Sequence, residues 1–254
     1  MTRIRVLGCS GGIGDQRHTT SFKVDNDVLI DAGSGVLRLS RTEMAQIDHI
    51  FITHTHLDHV LALPLLIDSV GEERGTPVTV HALPAVIDLL KAHLFNHVLW
   101  PDFSRIPSAE APFMRFSPVS LNVPVVLGAR RITALPARHT VPACAWQVSG
   151  PHATWTYSGD TAGHPDFWRA VTGYGPDDTV IVETSFPNAQ ADIAALSAHY
   201  HPAALAHDWK AAASRAALWI THLKPGAEDV LAQELSLALG QSVQILTADQ
   251  EFEV

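Results

Sequence analysis

His54-Thr55-His56-Leu57-Asp58-His59 packs four metal-ligand side chains into six positions, directly after the β-rich stretch His49–Thr53. On an extended chain residues i and i+2 project the same way, so His54 and His56 can converge on one ion. Asp58 and His59 follow once the chain has turned and can serve a second ion close by. Two ions about 3.5–4 Å apart are the arrangement that activates water and clamps the oxygens of a displacement. Imidazole and carboxylate donors favour zinc, with manganese and iron as alternatives. The plainer reading, a histidine-rich surface turn, is disfavoured by the density of donors at the end of a buried-type strand.

Working outward, further ligand-type residues stand at the ends of other strand-like runs: His139 in Ala137-Arg138-His139-Thr140, Asp160 in Ser158-Gly159-Asp160-Thr161, and His222 in Ile220-Thr221-His222-Leu223. A donor at the tip of a rigid strand is held in place without a long loop. The chain carries 15 histidines, more than its length alone would lead one to expect, so imidazole is being used for ligation or titration.

The elements around these motifs form a pattern. Ile4–Leu7 is a short apolar run, followed by the glycine-rich loop 8–14. Phe22–Val24 and Val28–Ile30 flank Asp25-Asn26-Asp27, a hairpin signal. Residues 60–70 read as an apolar helix, Val78–His81 as a strand, and Ala85–His97 as a helix with Val86, Leu89, Leu90 and Leu94 on one side. Residues 95–124 are rich in proline and aromatics and read as an ordered insertion with no regular element. Strands are expected at Arg131–Leu135, Cys144–Val148, Thr154–Tyr157, Thr179–Val182, Leu218–Ile220 and Val243–Ile245, with helices at 165–172, 203–216 and 227–239. Strands first, then strand–helix alternation, imply a layered α/β domain with more than one sheet.

With 46% apolar and 17% charged residues in 254, the chain can bury a large core and reads as one domain over 1–254. No apolar run reaches the roughly 18–20 residues that span a bilayer, because Pro64 and Asp68 interrupt the best candidate. The first residues run into a strand with no signal-peptide pattern, so a cytoplasmic location is the expectation. Cys9 and Cys144 are too few for a disulfide framework and read as small apolar residues. The formal charge of −9 argues against a long nucleic acid as partner, since phosphate neutralisation needs a basic face. A small anionic substrate remains compatible, because bound ions dominate the field inside a site.

The order His-x-His-x-Asp-His, a lone His, Ser-Gly-Asp-Thr and a late Thr-His resembles the metallo-β-lactamase superfamily over nearly the whole chain. That resemblance implies a four-layered αββα sandwich with two divalent metal ions at the sheet edges. It implies that His54, His56 and His139 hold one ion, that Asp58, His59 and His222 hold the other, and that Asp160 bridges both. Asp160 within Ser-Gly-Asp-Thr, the opening Leu7-Gly8-Cys9-Ser10-Gly11-Gly12, and Thr19-Thr20-Ser21 resemble the phosphodiesterase branch, which contains ribonuclease Z and the class II cyclic-nucleotide phosphodiesterases.

Within that branch Leu57, where ribonuclease Z usually has glycine, is similar to the class II group. So are the run Leu61–Ser69 and the stretch His93–Phe103. The long glycine-rich arm by which ribonuclease Z grips tRNA is not evident. The resemblance also assigns proton-transfer roles to Glu183 in Val182-Glu183-Thr184-Ser185 and to His199 in Ser197-Ala198-His199-Tyr200. The ordinary alternatives are a helix-start histidine for His199 and a carboxylate orienting a ligand for Glu183. The implied activity is hydrolysis of a small phosphodiester, a 3′,5′-cyclic nucleotide foremost, with Asp58 accepting the proton of the attacking water. A ribonuclease Z-like endonuclease and a lactone, thioester or β-lactam hydrolase are the rival enzymes. A metal-binding scaffold without turnover is the non-enzyme rival.

Glycines 8, 11, 12 and 14 read as a tight turn beside the site, since nothing downstream matches a dinucleotide-binding pattern. Trp100, Phe103, Phe113 and Phe116 read as core packing or a subunit interface, which leaves a homodimer open.

Overall fold

The computed structural model describes residues 1–240 and 242–254. The first sheet is built from β1 (Arg3–Gly8), β2 (Ser21–Val24), β3 (Val28–Ile30), β4 (His49–Phe51), β5 (Val78–Ala82) and β6 (Met114–Pro118). The second uses β7 (Pro124–Leu127), β8 (Arg130–Pro136), β9 (Cys144–Ser149), β10 (Thr154–Tyr157), β11 (Thr179–Glu183), β12 (Ala217–Thr221) and β13 (Gln244–Ile245). The chain then returns to the first sheet as β14 (Glu251–Glu253), antiparallel to β1. The strand orders are β14-β1-β2-β3-β4-β5-β6 and β13-β12-β11-β10-β9-β8-β7.

Alternation of side chains along the strands produces three separate cores. Ile50 and Ile52 face one way, into a core shared with Leu63, Leu66 and Ile67 of α3 (Leu63–Val70) and Val86 and Leu90 of α4 (Pro84–His93). Phe51, between them, faces the other way and packs between the sheets with Phe22, Trp146, Trp155 and Tyr157. Ile181 joins that middle core, while Val180 and Val182 turn outward. There they meet Phe167 of α5 (Pro165–Val171), Leu205 of α7 (Pro202–Ala212), which follows the short α6 (Ala191–Ser197), and Leu231 and Leu235 of α8 (Glu228–Leu239). Strands covered on both faces must be apolar on both faces, and helix, sheet, sheet and helix form the four-layered αββα sandwich.

Polar ties complete the frame. Arg130 on β8 reaches across to the β2–β3 turn and grips Asp27 with two bonds of 2.6 Å. Lys23, buried on β2, ends 2.8 Å from Glu43 of α1 (Arg41–Ala45), whose N-terminus is closed by a Ser40–Glu43 capping box.

β3 to β6 run parallel to one another, as do β10 to β13. Carboxyl ends of parallel strands are where an open sheet leaves space for a site. The Thr53–His59 segment, with α2 (Leu57–Val60), follows β4; His139 follows β8; Asp160, Ser185 and His222 follow β10, β11 and β12. Gly33, just past β3, allows close approach, because a Cβ there would sit 2.1 Å from the Asp58 carbonyl oxygen. Gly11 does the same against His222, 2.6 Å from its carbonyl oxygen, so the glycine-rich loop is a tight turn braced on the site.

Several expectations are corrected. The stretch 95–124 is not devoid of regular structure: Met114–Pro118 is β6, paired in parallel with β5. Its aromatics serve the first outer core, where Phe103 is buried and Trp100, Phe113 and Phe116 pack against it. Helix α4 stops at His93, short of His97, because Asn96 bonds back to Ala92 and takes the N–H groups of Val98 and Leu99 into a turn. Helix α7 ends at Ala212, before 216, where Ala213 turns left-handed at φ +50°. Both cysteines are free; burial pushes the Cys9 thiol up to about 12 and raises Cys144 well above its ordinary value. No helix among the described residues is long and apolar enough to cross a membrane.

Candidate metal centre

The fold gathers the seven ligand-type residues into two clusters that share one member. Donor atoms of His54, His56, His139 and Asp160 lie within 4.8 Å of one another, and so do those of Asp58, His59, Asp160 and His222. The rings of His54, His56 and His139 stand 4.7 to 4.9 Å apart at mutual angles of 75 to 80°, three imidazoles facing a common point. In the second cluster His222 Nε2 is 3.2 Å from Asp58 Oδ2 and 3.3 Å from Asp160 Oδ2, while His59 Nε2 is 3.3 Å from Asp160 Oδ1.

Each buried imidazole is held by its far nitrogen. His59 Nδ1 sits 2.7 Å from Asp31, a carboxylate at 0% exposure that also takes the backbone N–H of Thr53 at 2.8 Å. The Thr53 hydroxyl lies 2.8 Å from the same carboxylate and 3.0 Å from His54 Nδ1, so Asp31 and Thr53 orient one donor in each cluster. His139 Nδ1–H donates to the Ala198 carbonyl at 3.1 Å, and Ser185 Oγ stands 2.9 Å from His222 Nδ1. Fixing the far nitrogen fixes the tautomer and points the near lone pair at the cluster centre. Asp31 and His222 both hold positive φ, +56° and +62°, as non-glycine residues; such backbone strain concentrates at functional sites.

The electrostatics agree with a cation site. Burial, and then the neighbouring His59, press the pKa of His54 well below its ordinary value; burial also lowers His56 and His139. Neutral imidazole is the form that ligates. His59 runs the other way: burial opposes its charge, but Asp160 and Asp31 outweigh burial and raise its pKa well above the ordinary value, so a cation there must displace a proton. Burial opposes charge on Asp160, yet His222 and His59 outweigh it and hold the carboxyl well below the usual range. Asp58 is lowered in the same way, burial being outweighed by the hydrogen bond from His222 and the charge of His59. Buried His54 Nε2, His59 Nε2 and Asp160 Oδ1 have no aligned hydrogen-bond partner among the described residues, and buried polar atoms rarely go unpaired. Inward-facing imidazoles, a shared carboxylate and orphaned inward atoms fit two divalent cations.

His199 lies beside the clusters, its ring 4.9 Å from His139 and 5.5 Å from His222. Its Nδ1 is 2.8 Å from Glu183 Oε1. Burial disfavours charge on His199, but Glu183 outweighs burial and raises its pKa. The sequence placed Glu183 with His199 among the catalytic groups, and the structure places it behind the His199 ring. Glu183 is at 0% exposure, with Oε1 accepting from the Thr161 and Tyr200 N–H groups and Oε2 from the Ser185 hydroxyl. It touches no open space and meets the site through the His199 ring. Asp31, Thr53 and Ser185 were missed by sequence reasoning; a carboxylate ending β3 next to Gly33 was the available signal for Asp31.

An αββα sandwich with two donor clusters at one sheet edge defines a class, and the comparisons agree with it. The Beta-lactamase superfamily domain matches residues 26–230, and the chain belongs to the metallo-β-lactamase superfamily. The Ribonuclease Z of Bacteroides fragilis is 28% identical over 153 residues, 56% of this chain and 48% of that protein. The chain thus spans about half the length of the curated relatives it matches first. A Yersinia pestis protein described as a probable 3′,5′-cyclic-nucleotide phosphodiesterase is 28% identical over 231 residues, 73% of this chain and 65% of that one. The unliganded yeast PDE1 structure is 17% identical and superposes with a TM-score of 0.84 over 100% of this chain and 99% of that one, which shows a shared fold.

Proposed function

We propose that this chain is a metal-dependent phosphodiesterase for small substrates, with 3′,5′-cyclic nucleotides as the favoured class. The observation that carries the reading is His199, an imidazole backed by buried Glu183 and set against both donor clusters without belonging to the seven. Any departing alkoxide gains from a positioned proton donor, and a phosphodiester, which is anionic and builds further charge on its phosphoryl oxygens, gains in addition from a cationic imidazole. Divalent ions at such a site supply activation of water and neutralisation of phosphoryl charge.

The residues divide the remaining work. His199 Nδ1–H donates to Glu183, which leaves Nε2 as the nitrogen that meets the substrate. In its charged form the ring stabilises the developing phosphoryl charge or protonates the departing 3′ oxygen. Asp58, with its side chain 27% exposed, is the most accessible carboxylate of the two clusters and accepts the proton of the attacking water. The more extended match to the Yersinia pestis protein and the net charge of −9 support a small phosphodiester over a structured RNA.

Turnover of cyclic AMP, cyclic GMP, a bis-aryl phosphate and a lactone in parallel tests the reading. Hydrolysis of the phosphodiesters with the lactone untouched is the expected result. Lactone turnover alone overturns it, and salt-sensitive binding and cleavage of precursor tRNA would move the chain to the ribonuclease Z reading.

A further inference from the structure

Ser185 bonds to three residues that serve different parts of the site. Its Oγ lies 3.0 Å from Glu183 Oε2, 2.9 Å from His222 Nδ1 and 3.2 Å from His199 Nδ1, and the residue is fully buried. A hydroxyl has one proton to give and two lone pairs to receive. The Glu183 carboxylate and the His222 backbone carbonyl, 3.3 Å away, can only accept, and the Ser185 proton goes to the nearer carboxylate. His222 must then donate through Nδ1–H, so that Nε2, 3.2 Å from Asp58 Oδ2 and 3.3 Å from Asp160 Oδ2, is the nitrogen that gives up the proton it shares with Asp58 when a cation takes its lone pair. His199 shares its Nδ1–H between Glu183 and the same hydroxyl.

We infer that Ser185 is a positioning residue that locks His222 in its ligating tautomer and ties the second ion position to the Glu183–His199 pair. The inference rests on the two-ion reading of the site and adds an asymmetry to it. His54, His56 and His139 do not depend on Ser185: His54 is held by Thr53 and His139 by the Ala198 carbonyl. Removing the hydroxyl therefore frees the His222 ring, leaves Glu183 Oε2 short of a donor, and spares the first ion.

The test is calorimetric titration of zinc into chelator-stripped wild type, Ser185→Ala and Ser185→Cys, each checked for its melting temperature without metal. Wild type is expected to take up two ions, and failure there would count against the two-ion reading before any variant is compared. Ser185→Ala is expected to keep the tighter or looser of the two sites at wild-type affinity while the other weakens by about 10–100-fold, the size usual for loss of a ligand-orienting partner. Ser185→Cys, close in volume with a weaker donor, should fall between. Equal weakening of both ions, or two unchanged affinities in variants that melt like wild type, overturns the inference. Should Ser185→Ala melt early, the rank order of wild type over Ser185→Cys at one ion alone still decides it.

Discussion

His54 and His56 stand two residues apart at the end of the same strand, yet the protein treats them differently. His54 is at 0% exposure with its Nδ1 against Thr53, whereas His56 is half-buried and, among the described residues, has only His139 Nε2 at hydrogen-bond distance, 3.1 Å from its Nδ1. The contrast extends across the site. His59 and His222 are sealed and oriented by Asp31 and Ser185, while His56 and His139 form the bank that solvent reaches. One bank is pre-organised by buried hydrogen bonds, so cations bind there without reordering side chains. In the other, His139 is tied to the Ala198 carbonyl and His56 is the imidazole left without an orienting partner among the described residues.

The largest effect should come from the residue common to both banks. Asp160→Ala is expected to abolish high-affinity binding of both ions and to reduce turnover to background, read by elemental analysis of the purified variant. Retention of two ions would show that the banks are independent.

A smaller effect, confined to chemistry, is expected at His199. His199→Ala should lower turnover of a cyclic nucleotide by about 10²–10⁴ with metal content unchanged. An activated aryl phosphodiester, whose leaving group needs little protonation, should lose less if His199 acts as a proton donor. Equal losses on both would assign it to charge stabilisation.

The smallest effect lies outside the site and tests whether buried imidazoles there obey the same physics. His81, stacked on Phe51 and 3.0 Å from His49 Nδ1, is pushed down to about 4, first by burial and then by His49. A histidine whose folded pKa lies below its unfolded 6.5 binds more protons when unfolded, so stability falls as pH drops from 6.5 towards 4. The Tm of metal-free protein should decline across that window, and His81→Gln should flatten the decline. An unchanged slope in the variant would mean that other groups carry it.

Much of this centre is legible in the sequence because its donors sit where strand patterns break off. His54 to His59, Asp160 and His222 each follow a run whose apolar character marks a buried strand. What holds the donors is not legible in that way. Asp31 reaches His59 across 28 residues and Ser185 reaches His222 across 37, contacts that exist only once β4 lies beside β3 and β12 beside β11. Local composition also misled. The proline- and aromatic-rich stretch hid β6, whose register depends on pairing with β5, and β14 is a short edge strand reading Glu-Phe-Glu that is defined by its hydrogen bonds to β1. Position alone did not separate Glu183 from His199, and only the fold shows the carboxylate wholly buried and the imidazole in front of it.

The most direct test of the whole account is to strip the protein with chelator and add zinc or manganese back in fractional equivalents, counting bound ions while following hydrolysis of a bis-aryl phosphate and of cyclic AMP. The account expects binding to saturate at about two ions per chain and phosphodiesterase activity to rise with that occupancy. Undiminished activity in the stripped protein, or no more than trace binding at saturation, would contradict it.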